Sequence, residues 1–222
     1  MSQFKVSALM FDLDGTLLNT APQIAEAANA MLVELSLPIL PYAQIKSYIG
    51  EGAQMLIQRC LVGALHHTPD PLVMAKAQTA FFEHYANNLT ESLPFDGVQV
   101  GLTALKQRDL KLACVTNKPE RFTRPLLEAS GLDVFFDIVV SGDTLPRKKP
   151  DPIQIHHICA EFDVIEMEAM LVGDSATDIA AAHAAGCFIV TVPYGYNQGK
   201  AIDESQIDAM IRDLTELPAM LM

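Results

Sequence analysis

The stretch Val6-Ser7-Ala8-Leu9-Met10-Phe11-Asp12-Leu13-Asp14-Gly15-Thr16 runs from an apolar segment straight into two carboxylates and a glycine. The short, continuous apolar part reads as a buried strand over residues 6–12. Gly15 lets the backbone turn sharply after it. Taken alone, Asp12 and Asp14 could simply cap that turn. A buried strand ending in two acids otherwise needs a cation or another partner beside it, because an unpaired buried carboxylate is costly.

Outward from this strand the rhythm changes twice, and the next strand-like run begins only at Lys111. Ile24, Ala27, Ala28, Met31, Leu32 and Leu35 recur at helical spacing, with Thr20 placed as N-cap and Pro22 in the first turn. Gly50 and Gly52 interrupt the chain before a second helix through Met55, Leu56, Cys60 and Leu61, and residues 70–89 read as a third. From Phe95-Asp96-Gly97 onward, strands at 111–116, 138–141, 169–173 and 188–192 alternate with helices at 97–108, 119–130, 151–163 and 175–185. This βαβα order implies an α/β fold, a doubly wound, Rossmann-like parallel sheet with helices on both faces. The expected division is a core of residues 1–17 and 89–222, with a small helical cap of residues 18–88 inserted after the first strand.

A chain of 222 residues corresponds to one large domain, or one with an insertion, at about 150 residues per domain. Fifteen Lys+Arg against 27 Asp+Glu leave a net charge of −12, and the pI is near 4.8. That balance speaks against nucleic acid and anionic membranes as partners, so an anionic substrate needs a local basic site. Apolar runs fall well short of the roughly 20 residues of a membrane span, and the N-terminus lacks the pattern of a signal peptide. A cytoplasmic location is expected. Cys60, Cys114, Cys159 and Cys187 lack CxxC spacing and read as buried, reduced thiols.

Ligands of open parallel sheets bind at the carboxyl ends of the strands. There the chain places Val115-Thr116-Asn117-Lys118-Pro119, then the basic loop Arg147-Lys148-Lys149-Pro150-Asp151-Pro152, then Val172-Gly173-Asp174-Ser175-Ala176-Thr177-Asp178. Thr116 by itself suits a helix cap, and the basic loop by itself a solvated charge run. Together with Asp12 and Asp14, these groups make the inventory of a magnesium-assisted phosphoryl-transfer site. His66-His67 and His156-His157 point in different directions on a helix and are expected at the surface, as is the flank position His183. The segment from Gly195 to Lys200 lacks nucleotide-loop spacing and is expected as an ordinary loop beside the site.

In order and wording the four segments resemble the haloacid dehalogenase superfamily of hydrolases over essentially the whole chain. FDLDGTLLNT, YIGEGAQML, VTNKP, KPDP and GDSATDI are most similar to its bacterial phosphoglycolate phosphatase group. The resemblance implies Asp12 as nucleophile, Asp14 as general acid and base, and Thr116 and Lys149 as ligands of the transferring phosphoryl group, with Lys148 the weaker alternative to Lys149. It further implies Mg²⁺ held by Asp12, Asp14 through its backbone carbonyl, and Asp174, with Asp178 orienting the metal's shell. Thr16, Asn117, Gly50, Glu51 and Gly52 are the implied substrate contacts, and hinges of the cap are expected near 16–20 and 88–96. The implied substrate is a small phosphorylated metabolite, and the implied assembly is a monomer or homodimer. Related phosphatases often carry a neutral amide where this chain has Glu51. A carboxylate facing the leaving group would disfavour an ester with a second anionic group. Another small ester or sugar phosphate, pyrophosphate and a phosphosugar mutase reaction are the alternatives. A dehalogenase has no need of the acid Asp14, and a phospho-accepting signalling domain needs no cap.

Overall fold

The computed structural model describes residues 3–108 and 110–222. In chain order, β1 (Ala8–Phe11) leads through β2 (Leu18–Asn19) into four helices: α1 (Ala21–Glu34), α2 (Tyr42–Lys46), α3 (Ala53–Leu65) and α4 (Pro71–Asn88). The chain returns through β3 (Leu93–Pro94) and then alternates: α5 (Val98–Lys106), β4 (Lys111–Val115), α6 (Glu120–Ser130), β5 (Ile138–Val140), α7 (Ile153–Phe162), β6 (Ala169–Gly173), α8 (Ala176–Ala185), β7 (Phe188–Thr191) and β8 (Ala209–Met210). The sheet is six-stranded in the order β5-β4-β1-β6-β7-β8, and every pairing in it is parallel. Winding proceeds outward from β1 in both directions, which is the doubly wound α/β arrangement expected from the sequence.

Alternation along β1 sets the layers, since successive strand residues face opposite sides of a sheet. Ala8 and Met10 join a cluster with Ile155, Ile158 and Ala182 from α7 and α8. Leu9 and Phe11 join the opposite cluster with Leu102, Leu105, Phe122 and Leu126 from α5 and α6. All four β1 residues are fully buried, which explains why this strand reads as a continuous apolar run rather than an alternating one. Among the described residues no helix is long and apolar enough to cross a membrane. The four cysteines are free and buried.

The inserted helices connect to the sheet through a two-stranded antiparallel ribbon in which Leu18 faces Pro94 and Asn19 faces Leu93. The ribbon, like the short helix α2 and the edge strand β8, carries too few residues to leave a periodic signal. Thr20 occupies the N-cap position of α1, but its side chain caps nothing and its hydroxyl is buried without a partner. The position follows from Pro22 in the first helical turn and not from a capping hydrogen bond.

Helix α5 packs so closely on the 3₁₀ turn Leu214–Met220 that a Cβ at Gly101 would stand 2.5 Å from the Leu214 carbonyl oxygen. Gly101→Ala is therefore expected to destabilise the protein by about 1–3 kcal/mol, although helix propensity alone favours alanine by about 1 kcal/mol. A fall in the urea midpoint with an unchanged m-value is the expected result; a rise would show that the contact yields freely.

Candidate active site

The residue directly after β1 is Asp12, after β4 Thr116 and after β6 Asp174. Phe11 is in register with both Cys114 and Val172, so these three groups emerge together at one edge of the sheet. Into their midst reaches Lys149, from the loop before α7. Its Nζ donates to Asp12 Oδ1 at 2.8 Å, to Asp178 Oδ1 at 2.7 Å and to the Val115 carbonyl at 2.9 Å. All three protons of the ammonium thus have partners, and its side chain is 2% exposed. Lys148 does not share this role; its Nζ lies against Gly52 in the inserted segment.

The loop that carries Lys149 is itself held by Gln154, a fully buried residue. Gln154 Oε1 accepts from the Lys149 backbone N–H at 3.1 Å, while its Nε2 donates to the carbonyls of Ser141 at 2.9 Å and Thr116 at 3.2 Å. Asp178 has two duties. One oxygen accepts from Lys149; the other accepts from the Ser175 hydroxyl and amide at 2.6 and 3.1 Å, closing a capping box on α8. Asp174 accepts from Thr16 Oγ1 at 3.0 Å and from the Tyr196 N–H at 2.7 Å. Gly15, at φ +94°, permits this approach; a Cβ there would stand 2.5 Å from Asp174 Oδ2.

Oxygens of Asp12, Asp174 and Asp178 lie within 4.8 Å of one another. Three buried carboxylates thus stand together, and Lys149 pairs with two of them, Asp12 and Asp178. Burial pushes the Asp12 carboxyl up to about 7, opposed by Lys149 and reinforced by Asp178 and Asp14. Burial likewise holds Asp174 well above the ordinary carboxylate range, with Asp178 and Asp12 adding to it. Burial works against the charged form of Lys149, but Asp12 and Asp178 outweigh it and hold its pKa above that of a free lysine. This excess of hard, anionic oxygen fits a divalent cation of the Mg²⁺ kind. Asp12 has one oxygen without a hydrogen bond among the described residues, whereas Asp174 and Asp178 each have both oxygens engaged beside it.

Asp14 sits on the far side of Asp12 and meets a second lysine. Both its carboxylate oxygens accept from Lys118 Nζ at 2.9 Å. The same ammonium stands 4.8 Å from the centroid of the Tyr85 ring, contributed by α4 of the inserted segment. Burial disfavours the Lys118 charge, yet Asp14 and Tyr85 more than offset it, so its pKa also lies above the usual value. Lys118 stands inside the quoted VTNKP segment, but its role was not legible there: the partner, Asp14, is 104 residues away in the chain.

A cavity opens between this edge of the sheet and the inserted helices. Its floor contains Asp12, Asp14, Thr116, Asn117, Lys118 and Lys149; its roof is largely apolar, with Ile24, Ile49, Leu56, Phe81, Phe82 and Tyr85. Gly50 and Gly52 also line it, and Asn117 Nδ2 joins the floor to the roof by donating to the carbonyls of Lys149 at 2.9 Å and Gly50 at 3.4 Å. Two expected substrate contacts are placed elsewhere. Glu51 is absent from the lining and is bound instead by Arg59 and Gln198, each at 2.5 Å. Thr16 is fully buried and spends its hydroxyl on Asp174. The loop of residues 195–200 does more than lie beside the site, because Tyr196 ties Asp174 to the ribbon. Its hydroxyl accepts from the Ala21 N–H at 2.9 Å and reaches Asn19 Oδ1 at 3.2 Å. His66, His156 and His183 are exposed and outside the site.

Residues 9–192 match the family model described as haloacid dehalogenase-like hydrolase. A phosphoglycolate phosphatase of Thiobacillus denitrificans is 46% identical over 217 residues, covering 97% of this chain and 96% of the relative. One from Nitrosospira multiformis is also 46% identical with the same coverage. The crystal structure of a protein from Haemophilus somnus, described as a predicted phosphoglycolate phosphatase, superposes with a TM-score of 0.92 at 35% identity and covers 99% of both chains. A family model that spans most of the residues, with relatives aligned over nearly their whole length, establishes that this chain belongs to the haloacid dehalogenase-like hydrolases.

Proposed function

We propose that this hydrolase is a Mg²⁺-dependent phosphatase that cleaves 2-phosphoglycolate to glycolate and phosphate through an aspartyl phosphate on Asp12. The observation that carries this reading is the buried Lys149 bridge beneath the cavity floor. It orients one carboxylate oxygen of Asp12 and leaves the other, Oδ2, without a hydrogen bond among the described residues. The names of the relatives support the substrate.

In the first half-reaction Asp12 Oδ2 forms a bond to phosphorus while the ester P–O bond breaks, and Asp14 gives its proton to the departing glycolate oxygen. In the second, water gives a proton to Asp14 and attacks phosphorus, and the Asp12–phosphorus bond breaks to release phosphate. Thr116 donates to a phosphoryl oxygen, and Lys149, whose three protons are already engaged, supplies its positive charge beside Asp12 where negative charge develops. The apolar roof excludes bulk water during the first step, and the β2–β3 ribbon is the place where the helical insert, residues 18–88, would hinge as a cap. Asp12, Asp174 and the Asp14 carbonyl would hold the Mg²⁺, with Asp178 as support; when bound, the ion offsets repulsion between the anionic nucleophile and the phosphate. Such an enzyme acts in the cytoplasm, where its four free thiols stay reduced.

Asp12→Asn preserves the shape of the site while removing the nucleophile. Steady-state phosphate release should fall by at least about 10³-fold, roughly 4 kcal/mol of barrier, with the circular dichroism spectrum unchanged. Wild-type turnover by this variant would rule out the covalent route.

Removal of the metal should expose the charge excess. The folded Asp12 value, about 7, lies above its ordinary 3.8. Its contribution to stability is therefore complete below 3.8 and is lost as pH rises through about 7. In EDTA the Tm should fall from pH 5 to pH 8, and phosphatase activity should be absent. Saturating Mg²⁺ should raise the Tm more at pH 8 than at pH 5. An equal rise at both pH values would place the ion away from these carboxylates.

Because Glu51 faces Arg59 and Gln198, Glu51→Gln should leave kcat/KM for 2-phosphoglycolate within about threefold of wild type. A gain of tenfold or more would mean that the carboxylate turns into the cavity during turnover.

A further inference from the structure

We infer that Lys118 and Tyr85 form a subsite for a second anionic group, the carboxylate of the ester's leaving group; this rests on the 2-phosphoglycolate reading above. Among the described residues lining the cavity the cations are Lys149 and Lys118. Lys149 has no proton to spare, because its three donors serve Asp12, Asp178 and the Val115 carbonyl. Lys118 is as deeply placed, with its side chain 6% exposed, but it holds a single carboxylate, that of Asp14.

Beside it stands an unsatisfied donor. Tyr85 is 2% exposed and lines the cavity, and its hydroxyl has no hydrogen-bond partner among the described residues. A buried hydroxyl in that condition calls for a ligand atom or an ordered water. The apolar roof side chains Ile24, Leu56 and Phe81 carry no donor for a charged group. Other cations near the insert are placed elsewhere: Arg59 pairs with Glu51, Lys46 lies over the Tyr196 ring, Arg121 over the Phe82 and Phe122 rings, and Lys148, beside Gly52, is not among the lining residues.

The pairing of Lys118 with Asp14 gives the subsite a mechanical consequence. To reach the ester oxygen, the Asp14 carboxyl must turn away from Lys118, which would strand a buried ammonium. A substrate carboxylate takes the vacated place, accepts from Lys118 and Tyr85, and keeps the ammonium paired while Asp14 moves. An ester without that group leaves Lys118 unpartnered at the same step. Selectivity for a carboxylated ester is thereby expressed in kcat as well as in KM. Lys118 belongs to the sheet edge and Tyr85 to the insert, so the carboxylate is gripped only when the two parts meet over it.

The test compares 2-phosphoglycolate with ethyl phosphate, which has a methyl group in place of the carboxylate, in wild type, Tyr85→Phe and Lys118→Met. Wild type should prefer the carboxylated ester; a wild type without that preference overturns the substrate reading itself. Given the preference, Tyr85→Phe, which deletes one unpartnered oxygen and keeps the Lys118–Asp14 pair, should lower the ratio of the two kcat/KM values by about tenfold. Lys118→Met should lower it by about 10²-fold or more. If both variants slow the two esters by the same factor, Lys118 and Tyr85 do not read the carboxylate, and the inference falls while the phosphoglycolate reading stands.

Discussion

Everything at the working edge of this protein depends on one buried ammonium. Lys149 touches the tip of the first strand, the start of α8 and the end of β4 at once. Taking a lysine out of water is expensive, and the expense is met here by two carboxylates and a carbonyl arranged around it. Replacing it with a neutral side chain would leave Asp12 and Asp178 buried side by side without their cation. The same bridge therefore organises the fold's carboxyl-terminal edge and aims the nucleophile. Gln154 shows how much structure is devoted to it: three hydrogen bonds from one buried amide set the course of the lysine's loop.

Asp12 and Asp14 lie two residues apart but sit in different electrostatic settings, and chemistry that needs one anion and one proton carrier benefits from that difference. Asp12 belongs to the anionic cluster with Asp174 and Asp178, where a divalent cation restores balance. Asp14 faces the cavity and is paired with Lys118. The separation arises beyond the end of β1, where Leu13 turns inward to the core and Asp14 bridges to Leu18 in the turn that follows.

Contacts between the sheet edge and the helical insert are both apolar and polar: Phe122 of α6 packs on Phe82 and Tyr85 of α4, and one apolar cluster holds Phe11 and Leu126 together with Leu56 and Phe81. Asn117 reaches the Gly50 carbonyl, Lys118 lies over Tyr85, and Tyr196 spans from Asp174 to the first turn of α1. These polar links add to that apolar contact, and the two connections converge on a ribbon of two residue pairs.

The sequence by itself determined the alternation of apolar strands with helices, the place of the insert and the residues at the strand tips. These are properties of contiguous chain: a fully buried parallel strand must be apolar throughout, and whatever follows it emerges at the carboxyl edge. Asp12, Thr116 and Asp174 were legible for that reason, and Lys149 through the resemblance of its loop. Partnerships were not. Lys118 finds Asp14 across 104 residues, Tyr196 finds Asp174 across a loop without a periodic pattern, and Glu51 turns from the cavity because Arg59 stands one helical face away. Thr16, whose hydroxyl suits a phosphate oxygen as well as a carboxylate, goes to Asp174 because the turn at Gly15 brings the two together. Tertiary structure decided these cases because a charged or hydroxyl side chain names only the kind of partner it needs, and packing alone determines which such partner lies within 3 Å.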